Sequence, residues 1–231
     1  MARSRGTMLN EERQEATRGG ESVVASIRED RPPVVAEQPA RAAEEQPAWV
    51  VEELPPEYGE IARKIAKLRE EAHSYEKFAE VLWRRGQPLK LGVRDVFAAL
   101  GFKTDLSNEA ASYDLVVALD PQRRLLVEVL AGVSPFDKKS PDITRALRAI
   151  QEDAGPGDRV VFVANIPCDK PVAMRQEVPA APDALRLIQG LGVNLVATST
   201  LFGFWRYSLQ DLAGARTSVD RLHALDGGIF K

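Results

Sequence analysis

The sequence predicts an α/β fold: a mixed sheet containing an antiparallel hairpin, helices flanking it, a long helix ahead of it and a disordered N-terminal tail. Three observations carry this. Two runs rich in valine and leucine, Tyr113 to Leu119 and Arg124 to Leu130, are joined by Asp120-Pro121-Gln122-Arg123, a strand-turn-strand pattern. Arg159 to Asn165 and Val193 to Ala197 are short and almost wholly apolar, as strands covered on both faces are. Between these runs, apolar residues recur at helical spacing.

Taken in order, Met1 to about Trp49 is rich in Arg, Glu, Ala, Pro and Gln and holds few large apolar residues, too few to offset the entropy of ordering it. Ser22 to Ile27 and Pro33-Val34-Val35 interrupt its polarity as candidate docking motifs for a protein partner. Pro55-Pro56 then opens a run in which Ile61, Ile65, Leu68, Ala72, Tyr75, Ala79 and Leu82 alternate at spacings of four and three, the seam of an amphipathic helix. This helix is expected to run to about Arg85 and end at Gly86. Its heptads suit either a coiled coil with a second copy of the chain, through residues 58–85, or packing on the domain that follows.

A second helix follows from Pro88 or Leu89 to Leu100, closed by Gly101, with Phe102 to Thr104 as a short strand and the hairpin after it. A helix from about Asp142 to Glu152 leads to the strand Arg159 to Asn165, and a long loop spans Ile166 to Pro182. Asp183 to Gln189 is a short helix, Val193 to Ala197 a buried strand, and Thr198-Ser199-Thr200 caps an apolar helix carrying Leu201, Phe204 and Trp205. The end, Leu225 to Lys231, holds Gly227-Gly228 and is expected to fray. The organisation expected is therefore a tail over 1–54, a helix over 55–86, a domain over 87–215 and a C-terminal extension over 216–231.

Composition narrows the function classes. A length of 231 residues allows one full core plus extra segments. No apolar run approaches the roughly 20 residues of a spanning helix, and neither a signal peptide nor a membrane anchor is supported. The single cysteine, Cys168, excludes an intramolecular disulfide and a cysteine-based zinc site and fits a reducing, cytoplasmic setting. A formal charge of −3 gives no overall electrostatic footprint for nucleic acid, although a local basic patch is compatible with it. No phosphate loop, dinucleotide fingerprint or local Ser-His-Asp or Cys-His motif is present. His73 and His223 are isolated, and Trp83-Arg84-Arg85 reads either as a nucleic-acid contact or as the charged end of a helix.

The chemistry-bearing feature is the hairpin. It sets Asp114 and Glu128 on neighbouring strands among apolar residues, where an ionised carboxylate is costly unless a cation or metal compensates. Three further patterns accompany it: a helix ending Leu100-Gly101-Phe102, the strand Glu128-Val129-Leu130-Ala131-Gly132 after an aspartate strand, and Leu195-Val196-Ala197-Thr198-Ser199-Thr200-Leu201-Phe202. In their order and spacing they resemble the PD-(D/E)xK nuclease superfamily, the restriction-endonuclease-like fold, and within it bacterial domains that follow a coiled coil. The resemblance covers roughly Trp83 to Tyr207.

It implies that Asp114 and Glu128 correspond to the acids that hold Mg²⁺, with a lysine two residues after the glutamate on the same strand face acting on the attacking water. Here that position is Leu130, which can neither donate nor titrate. Lys90 stands near the place where many relatives carry a glutamate, and a cation there repels a metal. Lys138, Lys139 and Arg145 are the candidates for a displaced catalytic cation. In the opposing structural reading, Asp114 at the strand start bonds backbone amides and Glu128 pairs with Arg145, Arg124 or Lys90, and either reading leads one to expect a depressed carboxylate pKa.

Two functions from this family, and one outside it, stay open at this point. The first is a nuclease-like domain that has lost catalysis and binds DNA, RNA or protein, and the second an active Mg²⁺-dependent nuclease with a displaced lysine. The third is a scaffold in a cytosolic complex unrelated to DNA.

Overall fold

The computed structural model describes residues 47–108, 111–175 and 178–230. The chain divides into Met1–Leu54 and Pro55–Lys231. In the first unit the described part is a 3₁₀ turn over Ala48–Val51, and the segments Ser22 to Ile27 and Pro33 to Val35 lie outside the described residues.

In the second unit a six-stranded mixed sheet runs β1 (Lys103–Leu106), β2 (Leu115–Ala118), β3 (Arg124–Ala131), β4 (Arg159–Asn165), β5 (Asn194–Ala197) and β6 (Gly228–Phe230), in that spatial order. β1, β2 and β3 pair antiparallel, and β3 to β6 are parallel. The helices are α1 (Pro56–Ala79), α2 (Gly86–Ala99), α3 (Pro141–Arg148), α4 (Pro182–Gly190), α5 (Thr198–Ser208) and α6 (Leu212–Ala224). Among the described residues no helix is long and apolar enough to cross a membrane.

Side-chain alternation along β3 divides the core in two. Leu125 and Val127 point to one face, where they meet Leu89, Val93 and Phe97 of α2, Leu201 and Trp205 of α5, and Val219 and Leu222 of α6. Leu126 and Leu130 point to the other and meet Ile143 and Ala146 of α3 and Ala184 and Ile188 of α4. The sheet is thus covered on both faces, which is why β4 and β5 read as continuous apolar runs. The hairpin turn forms as its sequence requires: the Asp120 carboxylate accepts the N–H groups of Gln122 and Arg123, each at 2.9 Å.

The elements depart from expectation in four places. The long helix stops at Ala79 instead of running to Arg85; a 3₁₀ turn, Glu80–Leu82, follows, and Gly86 takes φ +56°. The break is fixed from outside the helix. Arg175 donates to the Leu82 carbonyl, and the Asn165 amide donates to the Arg84 carbonyl at 2.9 Å, so these groups serve the ends of the parallel strands and not a continued helix. Thr198, expected as a cap, is fully buried and donates to Asn165 Oδ1 at 3.2 Å. The helix after Gly132 begins at Pro141 and, past Arg148, relaxes into a π turn over Ala149–Asp153.

The fourth departure concerns the segment expected to fray, in which Gly228–Phe230 form a strand. α6 packs into the core, its start capped by Asp211, which accepts the Gly214 N–H at 2.9 Å. β6 closes the sheet beside β5, and Phe230 meets Phe204 edge-on at 5.6 Å. Asn194, fully buried on β5, joins the two pieces: its amide donates to the Leu222 carbonyl at 2.8 Å and its carbonyl accepts the Gly227 N–H at 3.0 Å. Replacing Asn194 by Ala therefore takes this partner from the buried Leu222 carbonyl and from the half-buried Gly227 N–H. We expect Asn194→Ala to cost about 2 kcal/mol and to lower Tm by roughly 6 °C, with hydrogen exchange accelerated at Ile229 and Phe230; an unchanged melt and exchange pattern would mean that the end frays after all.

Candidate functional site

Asp114 stands one residue before β2, and the β2–β3 register carries it opposite Glu128. Its own N–H donates to the Val127 carbonyl at 2.8 Å, and its carbonyl accepts the Ser107 N–H at 3.0 Å. Its side chain then does what a strand's main chain does elsewhere: Oδ2 accepts the Val129 N–H at 2.8 Å. The carboxylate is locked to β3 by this bond and is only 5% exposed. Glu128 lies on β3 on the face that carries Leu126 and Leu130, beneath α3, and is 1% exposed.

Two cations reach the acids from opposite layers. Lys90 rides on α2, whose Leu89 and Val93 are buried, and its ammonium lies 2.5 Å from Asp114 Oδ1. Arg145 rides on α3 between the buried Ile143 and Ala146; one guanidinium nitrogen donates to Glu128 Oε1 and the other lies 3.2 Å from Asp114 Oδ1. Arg145 thus bridges the acids, and Lys90 adds a second positive charge to Asp114. Two acids face two cations, so no negative charge in the cluster lies without a cation beside it. Both cations keep about a third of their side chains exposed, Lys90 at 29% and Arg145 at 35%. They line a polar cleft of about 360 Å³ with Gln87, Ser107, Tyr113 and Asp114. Glu128 does not line it; it is enclosed behind Arg145.

Glu128 behaves differently from the expected depressed carboxylate. Burial is the largest influence on it and the nearby Asp114 charge is the next; together they outweigh Arg145 and push its pKa up to about 8. Its second oxygen, Oε2, is buried without a partner. That is tolerable for a neutral carboxyl and costly for an ionised one.

The positions singled out by sequence separate accordingly. Asp114, Glu128 and Arg145 come together. Lys138 and Lys139 do not: they lie exposed in the loop before α3, with Lys138 3.8 Å from Asp183. Arg124, weighed as a partner for Glu128, instead holds Asp158 with contacts of 2.5 to 3.2 Å. Burial works to raise Asp158, but Arg124 and the Gly155 N–H outweigh it and hold the carboxyl low. Lys90, read from sequence as a repelling cation or ion-pair partner, is the shortest polar contact of Asp114. The sequence signal was its place directly after Leu89 at the start of an amphipathic helix. Leu130 is 4% exposed and belongs to the apolar cluster of Leu126, Phe136, Ile143 and Ile166.

These residues do not fit a divalent ion as they stand. Both oxygens of Asp114 and one of Glu128 already accept from N–H donors or cations, and the remaining Glu128 oxygen belongs to a group that favours its neutral form. Among the described residues no group of three or more His, Cys, Asp and Glu is arranged to hold a metal.

Two outcomes follow for stability. Because the folded pKa of Glu128 lies above its unfolded value, the native state binds the extra proton between about pH 4.5 and 8. Its contribution is therefore greatest below this window and is lost as pH rises through it. Denaturant unfolding of Glu128→Gln, which cannot ionise, is expected to remove most of that decline; an unaltered slope would contradict the raised pKa. Leu130→Lys places a charge in the apolar cluster and is expected to cost about 3 kcal/mol in the same unfolding measurement.

No protein-family model, curated protein or solved structure matches this chain in comparison, so the functional reading rests on the geometry of its own residues.

Proposed function

We propose that the domain from α2 to α5 is a restriction-endonuclease-like domain whose phosphodiester-cleaving site has become an internal ion network, and that it now acts by binding nucleic acid or protein. The order α2, β1, β2, β3, α3, β4, with three antiparallel strands and a parallel fourth, supports the fold assignment. So do the two acids on adjacent strands. The observation that carries the loss of catalysis is the bridging of Asp114 and Glu128 by Arg145 while Lys90 occupies Asp114. In a working site the acids leave oxygens free for an ion and the cation two residues past the glutamate faces the substrate. Here the acids are neutralised from within and Leu130 is part of the core.

A specific observation favours a second reading, an active Mg²⁺-dependent nuclease with a displaced lysine. Lys90 brings an ammonium to the acid pair at the mouth of a polar cleft, and a lysine delivered from α2 could serve as one delivered from β3 does. Cleavage and metal binding separate the two. On the first reading, purified protein leaves plasmid and single-stranded DNA uncut with Mg²⁺ or Mn²⁺, and calorimetry gives no divalent-ion heat that Glu128→Ala removes. Cleavage that Asp114→Ala abolishes would establish the second reading and sink the first. DNA titration at low salt, where phosphate contacts are strongest, decides the binding partner: absence of binding directs the domain to a protein complex.

A further inference from the structure

α1 is 24 residues long, about 36 Å at the rise of an α-helix, and buries none of its residues. Its last turns dock on the domain: Tyr75 and Phe78 meet Trp205 with ring centroids 5.8 and 4.6 Å away, and Lys77 lies 2.7 Å from Asp95. Before those turns the apolar seam faces water. Tyr58, Ile61, Ile65 and Leu68 are each between 43 and 62% exposed, and Tyr75, although it meets Trp205, is still 55% exposed. A helix of this length gains little from propensity alone, and its stability comes from covering an apolar stripe.

The charges beside the seam say what covers it. In heptad positions, Tyr58, Ile65 and Ala72 occupy a and Ile61, Leu68 and Tyr75 occupy d; Lys64 and Glu71 fall at g, and Arg69 and Glu76 at e. Two copies in parallel place each g beside the e five residues on in the other chain. That sets Lys64 against Arg69 and Glu71 against Glu76, like against like in both pairs. Two copies antiparallel place g beside g. With Ile65 opposite Leu68 of the second copy, Lys64 falls beside Glu71 twice on the g flank, opposite charges related by the two-fold axis, while the e flank sets Arg69 beside Ala62 with no like charges opposed. The same register sets Ala72 against Ile61 and Tyr58 against Tyr75, so the small seam residue faces a large one. The seam is self-complementary in one orientation only.

We infer that α1 is an antiparallel homodimerisation helix, covered by α1 of a second copy in the register that pairs Ile65 with Leu68 and Lys64 with Glu71. This interface is independent of the Asp114–Glu128 network and stands whether or not the domain cleaves nucleic acid.

Sedimentation equilibrium of the full chain tests it. The wild-type chain is expected to dimerise at micromolar concentration, and Leu68→Glu to be monomeric with an unchanged melt of the domain, since Leu68 is exposed. Lys64→Glu replaces two attractive pairs by repulsive ones and is expected to weaken the dimer by roughly tenfold. Adding Glu71→Lys to that variant restores it. In a parallel dimer Lys64→Glu relieves repulsion from Arg69, so tighter association of that variant overturns the inference. A wild-type chain that remains monomeric overturns it as well. Mixing Ile61→Cys with Ala72→Cys gives the hetero-disulfide if the register is right, whereas a disulfide within Ile61→Cys alone signals the parallel arrangement and refutes it.

Discussion

Two buried carboxylates facing one another across a strand pair constrain everything around them. Neither can be ionised in an apolar layer without compensation, and both cannot be ionised together without repulsion. The molecule resolves this with Arg145, whose planar guanidinium presents two donors on one edge and so reaches Glu128 and Asp114 at once. Lysine has a single ammonium and cannot span the two acids in this way. Arg145 therefore fixes where α3 sits on the sheet, just as Lys90 fixes the start of α2 on the other side. The acids act as a pin through all three layers, with Asp114 also replacing a missing ladder partner for Val129.

The same arrangement gives the two acids different sets of partners. Asp114 receives two cations and a backbone N–H, whereas Glu128 receives one cation and leaves an oxygen bare. The neutral form of Glu128 is the one its surroundings favour. A site of this kind stores no free negative charge for an incoming ion, and what it offers the polar cleft is the flank of two partly exposed cations. Burying an ion network is weak evidence for stability, since apolar replacements of equal volume are often as good.

Much of the fold was legible. The hairpin, the two parallel strands and the helices between them follow from apolar period and turn chemistry, and their boundaries moved by a few residues at most. The parity of strand positions also placed Leu130 on the same strand face as Glu128. Less legible were the long helix's end and the C-terminus. Nothing near Leu82 stops a helix; the stop comes from Arg175 and Asn165, far along the chain. Gly227-Gly228 reads as a frayed end because its partner, Asn194, lies 33 residues earlier on another strand. The site divides the same way: the acids and Arg145 were nameable from sequence, while Lys138 and Lys139 were plausible by proximity along the chain and lie outside the cluster.

Local periodicity, which depends only on neighbours within a turn or a pleat, determined which segments are helix or strand and which faces are apolar. It also determined that a leucine, Leu130, stands two residues after Glu128 and that α1 carries an apolar seam. Tertiary structure alone decided which cations meet the acids, that Glu128 favours its neutral form, and that the last residues complete the sheet. Those outcomes depend on distances through space between groups 17 to 34 positions apart, where Coulomb attraction and burial are set by packing. Sequence spacing carries no record of that separation, and a fully enclosed carboxylate looks, in one dimension, the same as an open one.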